Sequence, residues 1–279
     1  MKNSGISIIV SFLFLVDFCA AQPGVLQISN FGGTPNSDIT QAFINSWTLA
    51  CASPTPTKIV IPAGTYMLTG IDVKGPCKTP IEIQVDGTIQ EPSDINLVQK
   101  GSDQWVRFQY INSLTLSGLG VFDGQGAAVW KQGGVAWEKA STMSPNTDGI
   151  HIGKSTDVKI LNSNIGTGDD CVSLGDGSRK AIVQNINCGP GHCISVGSLR
   201  KYTMEYHVAG LLVKNCTLKE TDNGLRIKTW PSAPGTITIT DMNFEYITMI
   251  DVLNYKTLIL TLRSLMAPCY CTSALPQGS

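Results

Sequence analysis

The sequence predicts an all-β fold: a right-handed parallel β-helix with a short capping helix at its N-terminal end. Three observations predict it. First, four patches keep one phase: Asn146–Gly153, Gly168–Gly175, Gly191–Gly197 and Asp222–Lys228. Asp148 to Asp170 and Asp170 to His192 are both 22 residues, and Leu225 follows Ile194 after 31, as if one turn were longer. A period in the low twenties marks a solenoid. Second, the runs inside the patches are short, β-branched and bounded by glycine, which suits strands and turns rather than helices. Third, the chain has 28 Gly, 15% charged residues and 42% hydrophobic residues, as a β-rich domain with one continuous core would.

The elements follow in chain order. Lys2, the apolar run Ile6 to Val16 and Cys19-Ala20-Ala21 have the three parts of a secretory signal peptide, assigned to residues 1–21. That run is too short to span a bilayer, and no later stretch is long and apolar enough, so a secreted, extracellular product is expected. Residues 22–252 are read as one β-helix domain. Ser37 to Cys51 carries Ile39, Phe43, Ile44 and Trp47 at helical spacing and is placed as the cap of the open core end. Ile59 to Pro62, Ile81 to Val85, Trp105 to Tyr110 and Leu114 to Leu116 read as strands. Outer strands follow at Val158 to Leu161, Ile182 to Val183, Leu211 to Val213 and Ile237 to Ile239. Each ends near Asn162, Asn185, Asn215 or Asp241, where stacked amides would bond along the axis. Residues 253–279 form an atypical tail with no clean coil pattern.

Stacked coils place residues of equal phase ~4.8 Å apart. Asp148, Asp170 and His192 then form a column with Asp169 beside it. Arg226 falls in phase with His151, Ser173 and Ser195, and Lys228 with the glycines Gly153, Gly175 and Gly197. Stacked carboxylates raise one another's pKa and cost stability, so the cluster points to chemistry. On this reading Asp169, between two like charges, keeps its proton, and Asp148 and Asp170 hold one water. His192 tunes the acid. Arg226 and Lys228 clamp a substrate carboxylate. His151 and His207 are read as structural or surface residues. The formal charge is −1, which offers no global field for nucleic acid; a polyanion would be gripped locally, with Lys154, Arg200 and Lys201 as further cations.

The ordered set Asn146-Thr147-Asp148, Gly168-Asp169-Asp170, Gly191-His192 and Arg226-Ile227-Lys228 resembles the polygalacturonase family of glycoside hydrolases. The context of His192 and Thr229-Trp230-Pro231 is most similar to pollen-type exopolygalacturonases. The resemblance extends from about Asp38 to about Met249 and departs twice: the stretch Lys131 to Pro145 is short, and the likeness fades after Met249. It implies Asp169 as general acid, Asp148 and Asp170 as the water-activating pair with inversion, and Asn146 among the substrate-binding residues. It also implies a monomer acting on pectin or polygalacturonate in the cell wall, without cofactor or metal. A calcium-dependent pectate-type lyase and a non-catalytic carbohydrate-binding or structural β-helix are the rival readings.

Nine cysteines are present, eight after residue 21. An exported chain is expected to pair them. Cys51 and Cys77 flank an early strand region. The resemblance implies Cys171 with Cys188, while phase stacks Cys193 on Cys171 and leaves that pairing open. With Cys171 paired to Cys188, Cys193 is expected to crowd a position where the family usually has Gly, so that Cys193→Gly would raise activity without breaking a disulfide. A zinc set of Cys188, His192 and Cys193 lacks a second ligand pair at finger-like spacing. Asn215-Cys216-Thr217 is a candidate glycosylation sequon.

Overall fold

The computed structural model describes residues 24–92, 104–125, 147–230, 234, 236–254, 259–260 and 270–271. The leader assigned to 1–21 and Asn146 lie outside the described residues. The strands are parallel and wind into a β-helix with three faces. One face stacks Gly24–Gln27, Thr57–Ile61, Ile81–Val85, Asn112–Ser117, Thr156–Leu161, Arg179–Gln184 and the first part of Val208–Lys219. A second stacks Thr65–Met67, Thr88–Gln90, Val121–Asp123, Asn164–Gly166 and Asn187–Cys188. The long strands Val208–Lys219 and Ile239–Ile250 turn the corner between these two faces. The third face stacks Ile71–Lys74, Gln104–Gln109, Asp148–Gly153, Val172–Leu174, Ile194–Leu199, Leu225–Thr229 and Ile259–Leu260.

Register explains the core. Side chains alternate across a strand, so every second residue points inward, and stacking extends each into a column. Ile59, Ile83, Leu116, Ile160, Val183, Val213 and Phe244 pair in succession on the first face. On the third, Ile71, Val106, Ile150, Val172, Ile194 and Leu225 do the same, beside Val73, Phe108, Ile152, Leu174, Val196 and Ile227. These residues are buried almost throughout. Each coil rests on its neighbours alone, so stability is shared along the stack.

The helix spans Thr40–Ala52 and closes the N-terminal end of the core with Phe43 and Trp47. Just ahead of it, Asp38 Oδ1 accepts the Thr40 N–H at 2.8 Å. The Trp47 ring lies 5.8 Å from Phe108, tilted by 48°, and a Cys51–Cys77 disulfide ties the last turn to the chain before Ile81. Ile44 is 37% exposed rather than part of the covered face, because Ala42, Phe43, Ser46, Trp47 and Ala50 make that face.

The coil before the short stretch stacks directly on the coil after it: Gln104 pairs with Asp148, and Val121 with Asn164. Beyond residue 252, where sequence shows no coil pattern, Ile259–Leu260 and Tyr270–Cys271 continue two faces. Two-residue pairings are too short to leave a period in the sequence. An amide ladder runs along one corner, with Asn185 Nδ2 donating to Asn162 Oδ1 at 2.7 Å and Asn215 Nδ2 to Asn185 Oδ1 at 2.8 Å. Asp241 does not extend it: the register of Lys214 with Glu245 puts Tyr246 there and Asp241 at the preceding corner. The exposed sequon residue Asn215 therefore spends an amide hydrogen on the ladder.

Candidate active site

The site forms on the outer side of the third face. Between the two inner columns, register stacks Asp72, Arg107, His151, Ser173, Ser195 and Arg226. Asp148 opens its strand, while Asp169-Asp170, His192 and Asp222 stand just before the next three. Parallel register of the strands they precede brings these entries together. The Cys171–Cys188 disulfide ties the Asp169-Asp170 turn to the turn before His192. Gly191 lets the chain pass close there: at φ +156°, a Cβ would sit 2.8 Å from the Asp169 carbonyl. The His192 N–H donates to that carbonyl at 2.7 Å.

Two hydrogen-bonded groups result. In the first, Ser173 Oγ donates to Asp148 Oδ2 at 2.6 Å, and His151 Nδ1 lies 2.7 Å from Ser173 Oγ. With its one proton given to Asp148, Ser173 can only accept from His151, so Nδ1 carries the imidazole proton. In the second, the Asp170 side chain is 0% exposed. Ser195 Oγ and Lys228 Nζ (2.6 Å) donate to its Oδ2, and Cys193 Sγ lies 2.7 Å from its Oδ1. Asp148 to Ser173 and Asp170 to Ser195 are both 25 residues, one device repeated in successive coils. Beside them, His192 Nδ1 lies 2.7 Å from Asp169 Oδ1 and its Nε2 3.1 Å from Asp222 Oδ2.

The charges follow from this geometry. Asp169 is held below its ordinary pKa. Burial pushes it up, but the bond and charge of His192, with Lys228, outweigh burial. His192 is correspondingly raised, first by the Asp169 bond, against burial. The pair is thus an imidazolium facing a carboxylate. Asp170 is raised by burial, with Asp148 and Asp169 adding to it and Lys228 opposing. Burial works against the Lys228 ammonium, but Asp170 outweighs it and holds Lys228 above its ordinary value. Asp222 is raised, mainly by burial.

Several expectations change. The flanking carboxylates predict that Asp169 keeps its own proton; instead the bond and charge of His192 outweigh the burial that pushes Asp169 up, and favour the proton on His192. Lys228 is not a free clamp, because its ammonium is committed to Asp170 and its side chain is 19% exposed. It keeps its place beside Gly197, where a Cβ would sit 2.2 Å from the Lys228 carbonyl oxygen; the register slips by one residue only beyond that point, before Leu199 pairs with Thr229. Arg226 stays in the outer column, its Nε buried with no hydrogen-bond partner. His151 is no bystander. Its phase with Ser173 was visible, but no pattern says which two columns bond. Ser173, Ser195, Asp222 and Cys193 were likewise missed as members of the polar network. His207 is exposed and accepts the Thr238 N–H at 2.8 Å. Arg200 is buried and bonds its own loop. Cys188 is disulfide-bonded and cannot serve as a zinc thiolate. Asp169, Asp170 and His192 have ligand atoms within 4.8 Å of one another, but Lys228 and the imidazolium already neutralise those carboxylates.

A parallel β-helix with clustered carboxylates on one outer face, one buried and two reaching the surface, has the construction of an acid–base hydrolytic site. Residues 51–139 and 137–262 match Glycosyl hydrolases family 28. A polygalacturonase from Medicago sativa is 55% identical over 300 residues, covering 89% of this chain and 71% of the relative. An exopolygalacturonase from Oenothera organensis is 39% identical over 291 residues, covering 86% and 78%. Among solved structures, a family 82 iota-carrageenase from A. fortis shares the fold, with a TM-score of 0.61 at 14% identity over 82% of this chain and 51% of that one. The chain belongs to glycosyl hydrolase family 28 and is a glycoside hydrolase.

Proposed function

We propose that the chain hydrolyses the α-1,4-galacturonosyl linkages of polygalacturonate, with inversion, releasing residues from a chain end. The observation that carries this reading is the meeting of Asp148, Asp169 and Asp170 with His192 and two cations across adjacent coils. Family membership and the names of its plant relatives support the substrate and exo action.

The roles divide by access. The Asp169 side chain is 17% exposed and Asp148 13% exposed, so both reach a substrate; Asp170 does not. Asp169 gives a proton to the leaving oxygen, drawn across the 2.7 Å contact from His192 Nδ1. A uronate entering beside Asp169 adds negative charge and excludes water, which favours this transfer. Asp148, oriented by Ser173, takes a proton from the attacking water. The water oxygen bonds to the anomeric carbon as the glycosidic bond breaks, Asp169 ends as the carboxylate it began as, and solvent exchange returns a proton to His192 and removes the one taken by Asp148. Asp170, with Lys228, Ser195 and Cys193, is the buried anchor between them. Arg226 supplies the cation for the galacturonate carboxylate. Asn146 is proposed as a further contact. The chain works secreted, in the cell wall, as a monomer.

The test is release of reducing ends from polygalacturonate by the secreted protein, with and without chelator. Monomeric galacturonate as the first product is expected. Asp169→Asn should lose at least a hundredfold in rate, from the usual ~10²–10⁴-fold of general acid catalysis, while still binding polymer. Activity within tenfold of the parent would reject the acid assignment.

A further inference from the structure

The coil that lengthens the period from 22 to 31 residues does so with the segment 200–207, at the far end of the site strands. This segment is fixed by its own bonds. Glu205 accepts the backbone N–H of Arg200 and of Tyr202, the latter at 3.0 Å. Arg200, itself buried, donates to the Thr203 carbonyl at 3.1 Å. The Trp230 N–H donates to Leu199 O at 2.8 Å, holding the end of the neighbouring strand against this turn. The result is a composed surface: Lys201 Nζ stands 4.7 Å from the centre of the Trp230 ring and 5.7 Å from that of Tyr202.

Position links this surface to the site. Arg226, Lys228 and Trp230 occupy alternate positions of one strand and its exit, ~6.6 Å per step. Lys228 reaches Asp170, so Trp230 stands one step beyond it. Trp230 is 42% and Tyr202 65% exposed, and Lys201 makes no ion pair among the described residues. Rings so open contribute little to folding, and hydrolysis as described above does not use them.

We propose that Lys201 and Trp230, flanked by Tyr202, form a separate subsite that takes a further uronate residue of the polymer, beyond the residue being cleaved. The Trp230 ring meets the C–H face of a sugar, as aromatic walls do in ligand sites. Lys201, held at the ring by cation–π attraction but lacking an anionic partner, meets the carboxylate. This inference rests on the uronate-polymer reading of the site.

Two measurements test it. Binding of polygalacturonate is titrated on the folded parent and on Trp230→Ala, Trp230→Phe, Lys201→Glu and Lys201→Arg, with melting temperature as the folding check. Affinity should fall about tenfold for Trp230→Ala and for Lys201→Glu, the equivalent of one lost anchor contact, and should recover in part with Phe and Arg. In kinetics on polygalacturonate the loss should appear in KM far more than in kcat. Binding and KM within twofold of the parent in both Trp230→Ala and Lys201→Glu would overturn the subsite, even if the parent hydrolyses polymer normally. Parent protein that binds polymer, loses it with these variants, yet releases no reducing ends would keep the subsite and reject the hydrolytic reading. A parent that binds no polygalacturonate would overturn the subsite as well.

Discussion

Replacing Lys228 with Met removes the one cation that, among the described residues, touches the buried Asp170. The ammonium lies 2.6 Å from Oδ2 of a side chain that is 0% exposed. Breaking such a pair leaves an uncompensated charge and costs ~3–5 kcal/mol. Ser195 and Cys193 still donate to the carboxylate, so the low end, about 3 kcal/mol, is expected at neutral pH. At ~2–4 °C of melting temperature per kcal/mol for a domain of this size, the shift is roughly 6–12 °C. The sign with pH follows from burial. Asp170 is already raised by burial, and without Lys228 it rises further. Asp170 therefore protonates as pH falls, and the penalty shrinks by up to ~1.4 kcal/mol per unit. Melts of parent and Lys228→Met at pH 5 and pH 7.5 should differ more at the higher pH. Lys228→Met combined with Asp170→Asn, which removes both charges, should recover most of the loss. A destabilisation below about 1 kcal/mol, or one unchanged between the two pH values, would refute the buried-pair reasoning; so would a variant whose only defect is a raised KM.

Three further outcomes are expected. Ser173→Ala leaves Asp148 without its donor and His151 without its acceptor, so kcat should drop about 10–100-fold with KM little changed, as for a misplaced base; steady-state kinetics with a normal melt checks it. Cys193 donates to Asp170, and burial followed by the Asp170 charge pushes its thiol well up, so the native protein should resist iodoacetamide. Cys193→Gly should then lower activity rather than raise it through relieved crowding, whereas Cys193→Ser should retain it; a more active Gly variant would restore the crowding view. The Asp169–His192 pair should stabilise most at mildly acid pH. His192 is raised, so its share is complete below ~6.5 and is lost as pH climbs through the folded value. Asp169 is lowered, so its share is present above ~3.9 and is lost as pH falls through its own folded value. Asp169→Asn should flatten both limbs of the stability profile and bring the His192 titration down in NMR spectra.

The order of the amino acids alone dictates the stack. Ile150, Val172, Ile194 and Leu225 sit in one column because parallel pairing repeats one register at each coil, and the intervals of 22, 22 and 31 residues state where each coil returns to it. It also determined which face carries chemistry, since Asp148, Asp170 and His192 share a phase, and it marked Phe43 and Trp47 as the covered side of the cap. Phase gives position along and around the coil, but it does not say which way a side chain turns or how deep it lies. The folded arrangement is what turns Lys228 to Asp170 instead of solvent, joins His151 to Asp148 through Ser173, and sets His192 against Asp169. Only it decided that Cys193 faces Asp170 while Cys171 pairs with Cys188, and that Tyr246 rather than Asp241 follows Asn215. The physical reason is range: backbone pairing repeats at one spacing and is written locally, whereas bonds and pKa shifts among neighbouring coils depend on burial and side-chain direction to within an ångström or so.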